Sequence, residues 1–288
     1  MADKISWIDA NGTEYPLNLD NNFKVLTGMT GRFMPTFSFI EDEIPFQDGT
    51  LLRDTKVKAR DVDIPLLIKT DNEIVFRQKV RECLRIFNPK TGDGRIRVTA
   101  ADGSTRELFC RYSGGLEGKE DRSFKGLIWM NLILVFHAFD PYWYDSSSIV
   151  QTFKINENPG LFFPILPLRL ASSTVFADVT IDNSGDVETW PEWIISGPCD
   201  SVVLNNITTG ETTNLEVSLQ AGETITIDTK PFKKSIVKSD GTNMFYTMTD
   251  DSSLWALQEG NNSIQIQMSN ATSDSSIQLT YRRRYWGA

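Results

Sequence analysis

The chain has 288 residues, 40% of them hydrophobic and 23% charged, a balance that describes a globular protein of about two domains and not a disordered one. Its formal net charge is −9, with 20 basic and 22 acidic residues over 1–145 and 9 and 16 over 146–288, so nucleic acid meets repulsion and no general attraction. No apolar run approaches the roughly 20 residues that span a bilayer, and Met1-Ala2-Asp3-Lys4 carries no secretory signal, so the expectation is cytoplasmic synthesis without membrane insertion.

In chain order, runs 4–10 and 13–18 flank Asn11-Gly12, a strong hairpin signal, and 23–27 reads as a further strand before Gly28 and Gly31. Residues 36–40 alternate. Glu41-Asp42-Glu43 and Gln47-Asp48-Gly49-Thr50 then predict a polar loop over 41–56. In the run 56–69, Val62, Ile64, Leu66 and Ile68 share one face, and Pro65, which has no N–H, predicts an edge strand or a bulge. Phe76, Val80, Cys83, Leu84 and Phe87 recur at helical spacing and predict one helix over 72–87, capped by Asp71 or Asn72 and stopped by Asn88-Pro89. Arg77, Lys79, Arg81 and Arg85 lie mostly off that stripe and read as its solvated face. Runs 95–100 and 106–112 pair across Asp102-Gly103, a glycine-rich mobile loop covers 113–126, and 127–139 is a long apolar strand. Residues 1–145 are therefore expected to form a β domain covered by one helix, with loops 41–56 and 113–126 projecting from it.

The stretch 146–170 is punctuated by Pro159, Pro164 and Pro167, which neither a continuous helix nor a central strand accommodates. Leu161 to Leu168 is too apolar for a free linker and reads as an extended joint packed along a surface. Beyond it, over 171–288, short strands recur at 174–181, 190–195, 201–205, 216–219, 224–228, 235–238, 244–248, 263–268 and 276–281, with 149–155 preceding them. Thr209-Gly210, Ala221-Gly222 and Asp240-Gly241 supply turns, so the fold class is mostly β, with an antiparallel sandwich or jelly roll in this half.

Catalytic signatures are missing. His137 is the single histidine and lies in the apolar strand, where a core or interface role is expected; no Walker loop, nucleophile elbow or metal triad occurs. Cys83, Cys110 and Cys199 are widely spaced and read as buried thiols, not a disulfide or zinc framework. No cofactor is expected, and no enzyme. The basic, aromatic tail Arg282-Arg283-Arg284-Tyr285-Trp286 is expected to pair its arginines with this acidic chain and to close a core or interface with its rings.

Several clusters, in order, resemble the distal tail protein family of long-tailed, non-contractile bacteriophages. They are Phe139-Asp140-Pro141-Tyr142-Trp143-Tyr144 at the close of the first domain and the proline-punctuated Phe162-Phe163-Pro164-Ile165-Leu166-Pro167. Asn183-Ser184-Gly185-Asp186-Val187-Glu188-Thr189-Trp190-Pro191, the spacing Trp255-x-Leu257-x-x-Gly260-x-Asn262-x-Ile264, and the closing 281–285 complete the set. The resemblance implies a homo-hexameric ring at the tail tip, in the virion, with the first domain around a channel that DNA passes without specific binding. It implies a galectin-like outer sandwich, a tail-tube protein on one face, a tail-associated hub protein on the other, and receptor-binding or peripheral baseplate proteins at the rim. Glu41, Asp42, Glu43, Gly115, Glu117, Lys119 and Lys125, in the two projecting loops, are the expected assembly contacts.

Two other readings compete. The sandwich could be a carbohydrate-binding module for the host wall, with Trp190, Trp193, Tyr246 and Trp255 as stacking faces against the alternative of ordinary core packing. A wall hydrolase ranks last, since none of the acids has a context that marks a catalytic pair.

Overall fold

The computed structural model describes residues 3–17, 22–117, 124–154 and 175–288. The chain divides into two compact units, Met1–Ser146 with Tyr285–Ala288, and Ser147–Arg284.

The first unit contains β1 (Lys4–Ile8), β2 (Glu14–Pro16), β3 (Phe23–Val25), β4 (Phe37–Glu43), β5 (Thr50–Val57), β6 (Arg60–Lys69), α1 (Glu73–Ile86), β7 (Gly94–Thr99), β8 (Thr105–Gly114), β9 (Trp129–Ala138) and β10 (Trp143–Asp145). Its main sheet runs β2-β1-β7-β8-β9-β6-β3, with β10 beside β8 off that path. Alternation decides the inner face: Val62, Ile64 and Leu66 of β6 stand in register with Phe136, Leu134 and Leu132 of β9, and all of them are buried. Phe136 anchors an aromatic cluster with Trp7, Phe87 and Tyr112 at centroid distances of 4.9, 5.8 and 6.0 Å. The Asn72 side chain accepts from the Val75 N–H at 2.9 Å and caps α1, which turns Phe76 and Cys83 into this core.

Three expectations for this unit need correction, and a fourth, a core or interface place for His137, loses its core half. Residues 41–56 are not a loop: β4 and β5 pair from Phe37↔Val57 to Glu43↔Thr50, with a register shift between Ile40 and Glu41. β6 is an inner strand, between β9 and β3. Pro65 is tolerated because its carbonyl accepts from the Leu26 N–H at 2.8 Å, just beyond the end of β3, where only the reciprocal bond is missing. Leu84 is 52% exposed, since it stands about 80° around the helix from Phe76 at 3.6 residues per turn. His137 is on the outer, half-exposed face of β9, with Nδ1 2.7 Å from Asp61 Oδ1.

The second unit contains β11 (Ile149–Lys154), β12 (Val175–Asn183), β13 (Glu192–Ser196), β14 (Cys199–Asn206), β15 (Glu211–Leu219), β16 (Thr224–Asp228), β17 (Ser235–Lys238), β18 (Gly260–Ser269) and β19 (Ser276–Tyr281). One antiparallel sheet runs β11-β19-β13-β16-β17 and the other β12-β18-β14-β15, and both turn their apolar residues into one core. Ile264, Ile266 and Met268 of β18 are wholly buried while Gln265 and Gln267 face out, the period-two signature of a sheet with one wet side. Residues 244–248, expected as a strand, form a 3-10 turn, Phe245–Thr247. The Asn243 side chain accepts from the Phe245 N–H at 2.9 Å and Thr247 Oγ1 donates to the Met244 carbonyl at 2.8 Å. Of the expected joint at 146–170, Ile149–Lys154 is a strand paired throughout with β19, and the proline-punctuated part lies outside the described residues.

Candidate assembly surfaces

The β4–β5 ribbon is an arm. Every residue of β5 from Thr50 to Lys56 is exposed, as is most of β4. A lone two-stranded ribbon is marginal in water, yet this one displays Phe39, Leu51 and Leu52, with exposures of 59, 44 and 56%. Among these rings and branched chains stand Glu41, Asp42 and Glu43. The Thr50 hydroxyl donates to Glu41, and Arg53 pairs with Asp42 at 2.6 Å. The root is firmer. Lys58 N–H donates to the Thr36 carbonyl at 2.9 Å, and the Phe37 ring lies 5.8 Å from that of Trp286.

A second surface lies between α1 and the chain after β8. Gly115 has φ +109, and a Cβ there would meet the Ile133 carbonyl oxygen at 1.7 Å, so only glycine fits. Glu117 accepts from the Gly115 N–H at 2.7 Å, and Leu116 N–H donates to the Tyr112 hydroxyl at 2.8 Å, which fixes the departure of the chain from the sheet. Lys125 bridges Met130 on the way back. Lys119 lies outside the described residues. Between these segments and α1 is a groove of about 610 Å³, with Val80, Leu116, Leu127 and Met130 on its apolar lining and Arg77, Arg81 and Lys125 among its charged residues. Glu73 and Glu117 are also there, and Glu73 holds Arg77 at 2.7 Å. Across the same chain segment a cleft of about 420 Å³ is lined by Leu26, Pro65, Phe124 and Leu132.

The proposed sugar-stacking residues do not come together as a platform. Trp193 and Trp255 are each 1% exposed and pack on one another edge to face at 5.6 Å, deep in the sandwich core, which removes both as stacking faces. Trp190 is half-buried with Lys234 Nζ 5.9 Å from its ring centroid, and Tyr246, 77% exposed, stands alone of the four in solvent. The available cue was apolar context: Trp193 shares a strand face with Ile195, and Trp255 sits inside the apolar run Leu254-Trp255-Ala256-Leu257.

Burial pushes the Cys83 thiol up to about 12 and the Cys199 thiol to about 11, and drives Cys110 higher still, so the three thiols are inert core groups. Among the described residues no three His, Cys, Asp or Glu side chains converge as a metal site would need.

Comparison with known proteins follows this division. Residues 10–117 match the model of a phage tail protein RIFT-related domain, and residues 184–285 that of a siphovirus-type tail component, C-terminal domain. The fold is similar to the crystal structure of the Dit protein (gp 19.1) of phage SPP1, described as a paradigm of the hub adsorption apparatus in phages infecting Gram-positive hosts. That match has a TM-score of 0.69 and 14% identity and covers 99% of each chain. It is also similar to chains in the phage p2 baseplate in its activated conformation. With Ca the TM-score is 0.53 at 9% identity over 98% of each chain; with Sr the values are the same over 97% of this chain and 98% of the other. No curated protein sequence matches the chain.

Proposed function

We infer the role from the family: this chain belongs to the distal tail protein family of siphoviruses, structural proteins of the phage tail and baseplate. Within that setting we propose a ring-forming adaptor, six copies around a channel, joining the tail tube on one face to the tail-associated hub on the other. The first unit forms the ring and the galectin-like sandwich stands outside it, where receptor-binding or peripheral baseplate proteins attach.

The observation that carries this reading is the arm. An exposed apolar ribbon is an aggregation hazard unless another chain covers it. The same unit offers a groove with apolar walls, where Arg77, Arg81 and Lys125 outnumber Glu73 and Glu117, against an arm where Glu41, Asp42, Glu43, Asp48 and Asp54 outnumber Arg53 and Lys56. Two different, complementary patches on one protomer make a heterologous contact, and such contacts build a ring when the rotation between neighbours closes. The arm of one copy therefore lies in the groove of the next, with Gly115, Glu117 and Lys125 framing the receiving side. The acidic balance of −9 suits a conduit that lets DNA pass without sticking. No catalytic step belongs to this role. The test is the oligomeric state of the chain with and without the arm: a ring that forms equally well after residues 41–56 are replaced by a short turn would remove the arm from the interface.

A further inference from the structure

Two turns in this chain are built alike, and each places a phenylalanine where the backbone favours glycine. In Ile44-Pro45-Phe46-Gln47, at the tip of the arm, the Gln47 N–H donates to the Ile44 carbonyl at 3.2 Å and Phe46 has φ 67. In Lys230-Pro231-Phe232-Lys233, between β16 and β17, the Lys233 N–H donates to the Lys230 carbonyl at 3.1 Å and Phe232 has φ 65. Proline followed by a positive φ is the geometry of a type II turn, whose second central position calls for glycine or asparagine. A bulky side chain there is an outlier. Among the described residues nothing rewards either ring, since both are as exposed as in an extended peptide, at 108 and 107%. Backbone strain of this kind, spent on a ring left wholly in water, is characteristic of places that bind.

The Phe46 tip belongs to the arm. The Phe232 tip is in the second unit and carries the opposite charge. Lys230, Lys233 and Lys234 bracket the ring, in a half of the chain that has only 9 basic residues against 16 acidic ones. It is also rigidly held. Pro231 fixes its own φ, Asp228 and Ser235 pair at the foot of the turn, and the Lys230 N–H donates to Asp228 Oδ1 at 2.9 Å.

We propose that the Phe232 turn is a docking knob for a second protein of the same tail, one that offers an apolar socket rimmed by carboxylates. The ring fills the socket and the lysines face the rim, the arrangement of an apolar anchor with a charged surround. A sugar polymer fits less well, because ligand sites are concave and set with converging polar groups, whereas this tip is convex. The inference rests on the tail-tip reading only for where the partner is to be found.

The test uses tails assembled in cells with Phe232 replaced by photoreactive benzoylphenylalanine, beside a control carrying it at Ile207, which is 57% exposed in the same unit. Purified tails, free and mixed with host cell walls, are irradiated and adducts mapped by mass spectrometry. The expected result is one dominant adduct at 232, to a different tail protein, within a peptide bearing Asp or Glu. It should be missing from the control and fall about tenfold when Lys233 and Lys234 are both changed to Glu, the charge reversal acting through the rim. Adducts at 232 no stronger than the control, or directed to another copy of this chain or to wall glycopolymer, would overturn the proposal. The amount of this chain in the same tails reads the tail-tip role separately. Its presence without the adduct fails the knob alone, and its absence from the tails fails both.

Discussion

Arg60 Nη2 donates to the Trp286 carbonyl at 2.7 Å, across 226 residues of sequence. The same guanidinium donates from Nη1 to the carbonyls of Gly31 and Arg32 at 3.1 and 3.3 Å, and the residue is 3% exposed. Burial holds its pKa down, at about 10, which leaves it charged at neutral pH. Arg106 grips the terminal segment Tyr285–Ala288 from another side, 3.8 Å from the Tyr285 ring and bonded to the Gly287 carbonyl, and Arg32 reaches Ala288. The last residues are thus a structural part of the first unit, set against the root of the arm through Phe37 and Trp286.

Replacing Arg60 removes three hydrogen bonds to backbone carbonyls at once, those to Gly31, Arg32 and Trp286. R60A is expected to destabilise the first unit by about 3 kcal/mol, and R60K to recover only part of that, because an ammonium cannot span three acceptors with a planar fork. Urea melts of both variants check this, and melts of R60A that match the parent would show that the contact does not matter.

The arm behaves in the opposite way. Phe39 and Leu52 are exposed, so F39S and L52S should change the stability of the isolated chain by less than about 0.5 kcal/mol. Assembly should nevertheless be lost, as light scattering will read. Deletion of 115–125 should likewise leave a folded chain with a changed oligomeric state.

Trp193 and Trp255 are expected to report on the core. W193A or W255A should cost about 3–5 kcal/mol, the usual penalty for emptying a buried aromatic site. Y246A should leave the melt unchanged. Any loss of wall-polysaccharide binding in the tryptophan variants would then reflect unfolding, whereas loss in Y246A with an intact fold would revive the carbohydrate reading.

Alkaline pH should loosen both units. A thiol whose folded pKa is raised favours the folded state fully below its unfolded value, near 9, and that preference is lost as pH climbs toward the folded value. For Cys83 and Cys199 the window runs from about 9 to about 12 and 11 respectively. Urea midpoints should fall between pH 8 and about pH 10, and all three thiols should resist alkylation at pH 8 until denaturant is added. Rapid alkylation of the native chain would show that these cores open more readily than their packing implies.

Periodicity made the strands legible, because burial in a sheet depends on little beyond every second residue. Val62 to Ile68 and Ile264 to Met268 could be assigned to inner faces from their spacing alone. The helix was equally readable, with its cap narrowed to Asp71 or Asn72 and Asn72 selected by the structure, except at Leu84 on the margin of the stripe. The arm was not. Its charged run Glu41-Asp42-Glu43 imitates a loop, and the strand pairing that organises it comes from Thr50 to Val57, whose polar and apolar residues follow no simple alternation. Exposed residues lack the burial pattern by which sequence announces structure. The two Pro-Phe turns are hidden from sequence for the same reason. The local cue was there, a phenylalanine in place of the glycine that usually follows proline in a type II turn, but only φ and exposure give it meaning.

The central claim is that complementary patches on the first unit close a ring. Light scattering of the purified chain, with negative-stain images of the same sample, tests it most directly, first alone and then with the tail-tube and hub proteins added. The account predicts a particle of about six times 32.6 kDa, annular with a central hole, that falls to the mass of one chain in L52S. A chain that stays at 32.6 kDa under every condition, its partners included, or that forms a closed two-fold dimer, would contradict it.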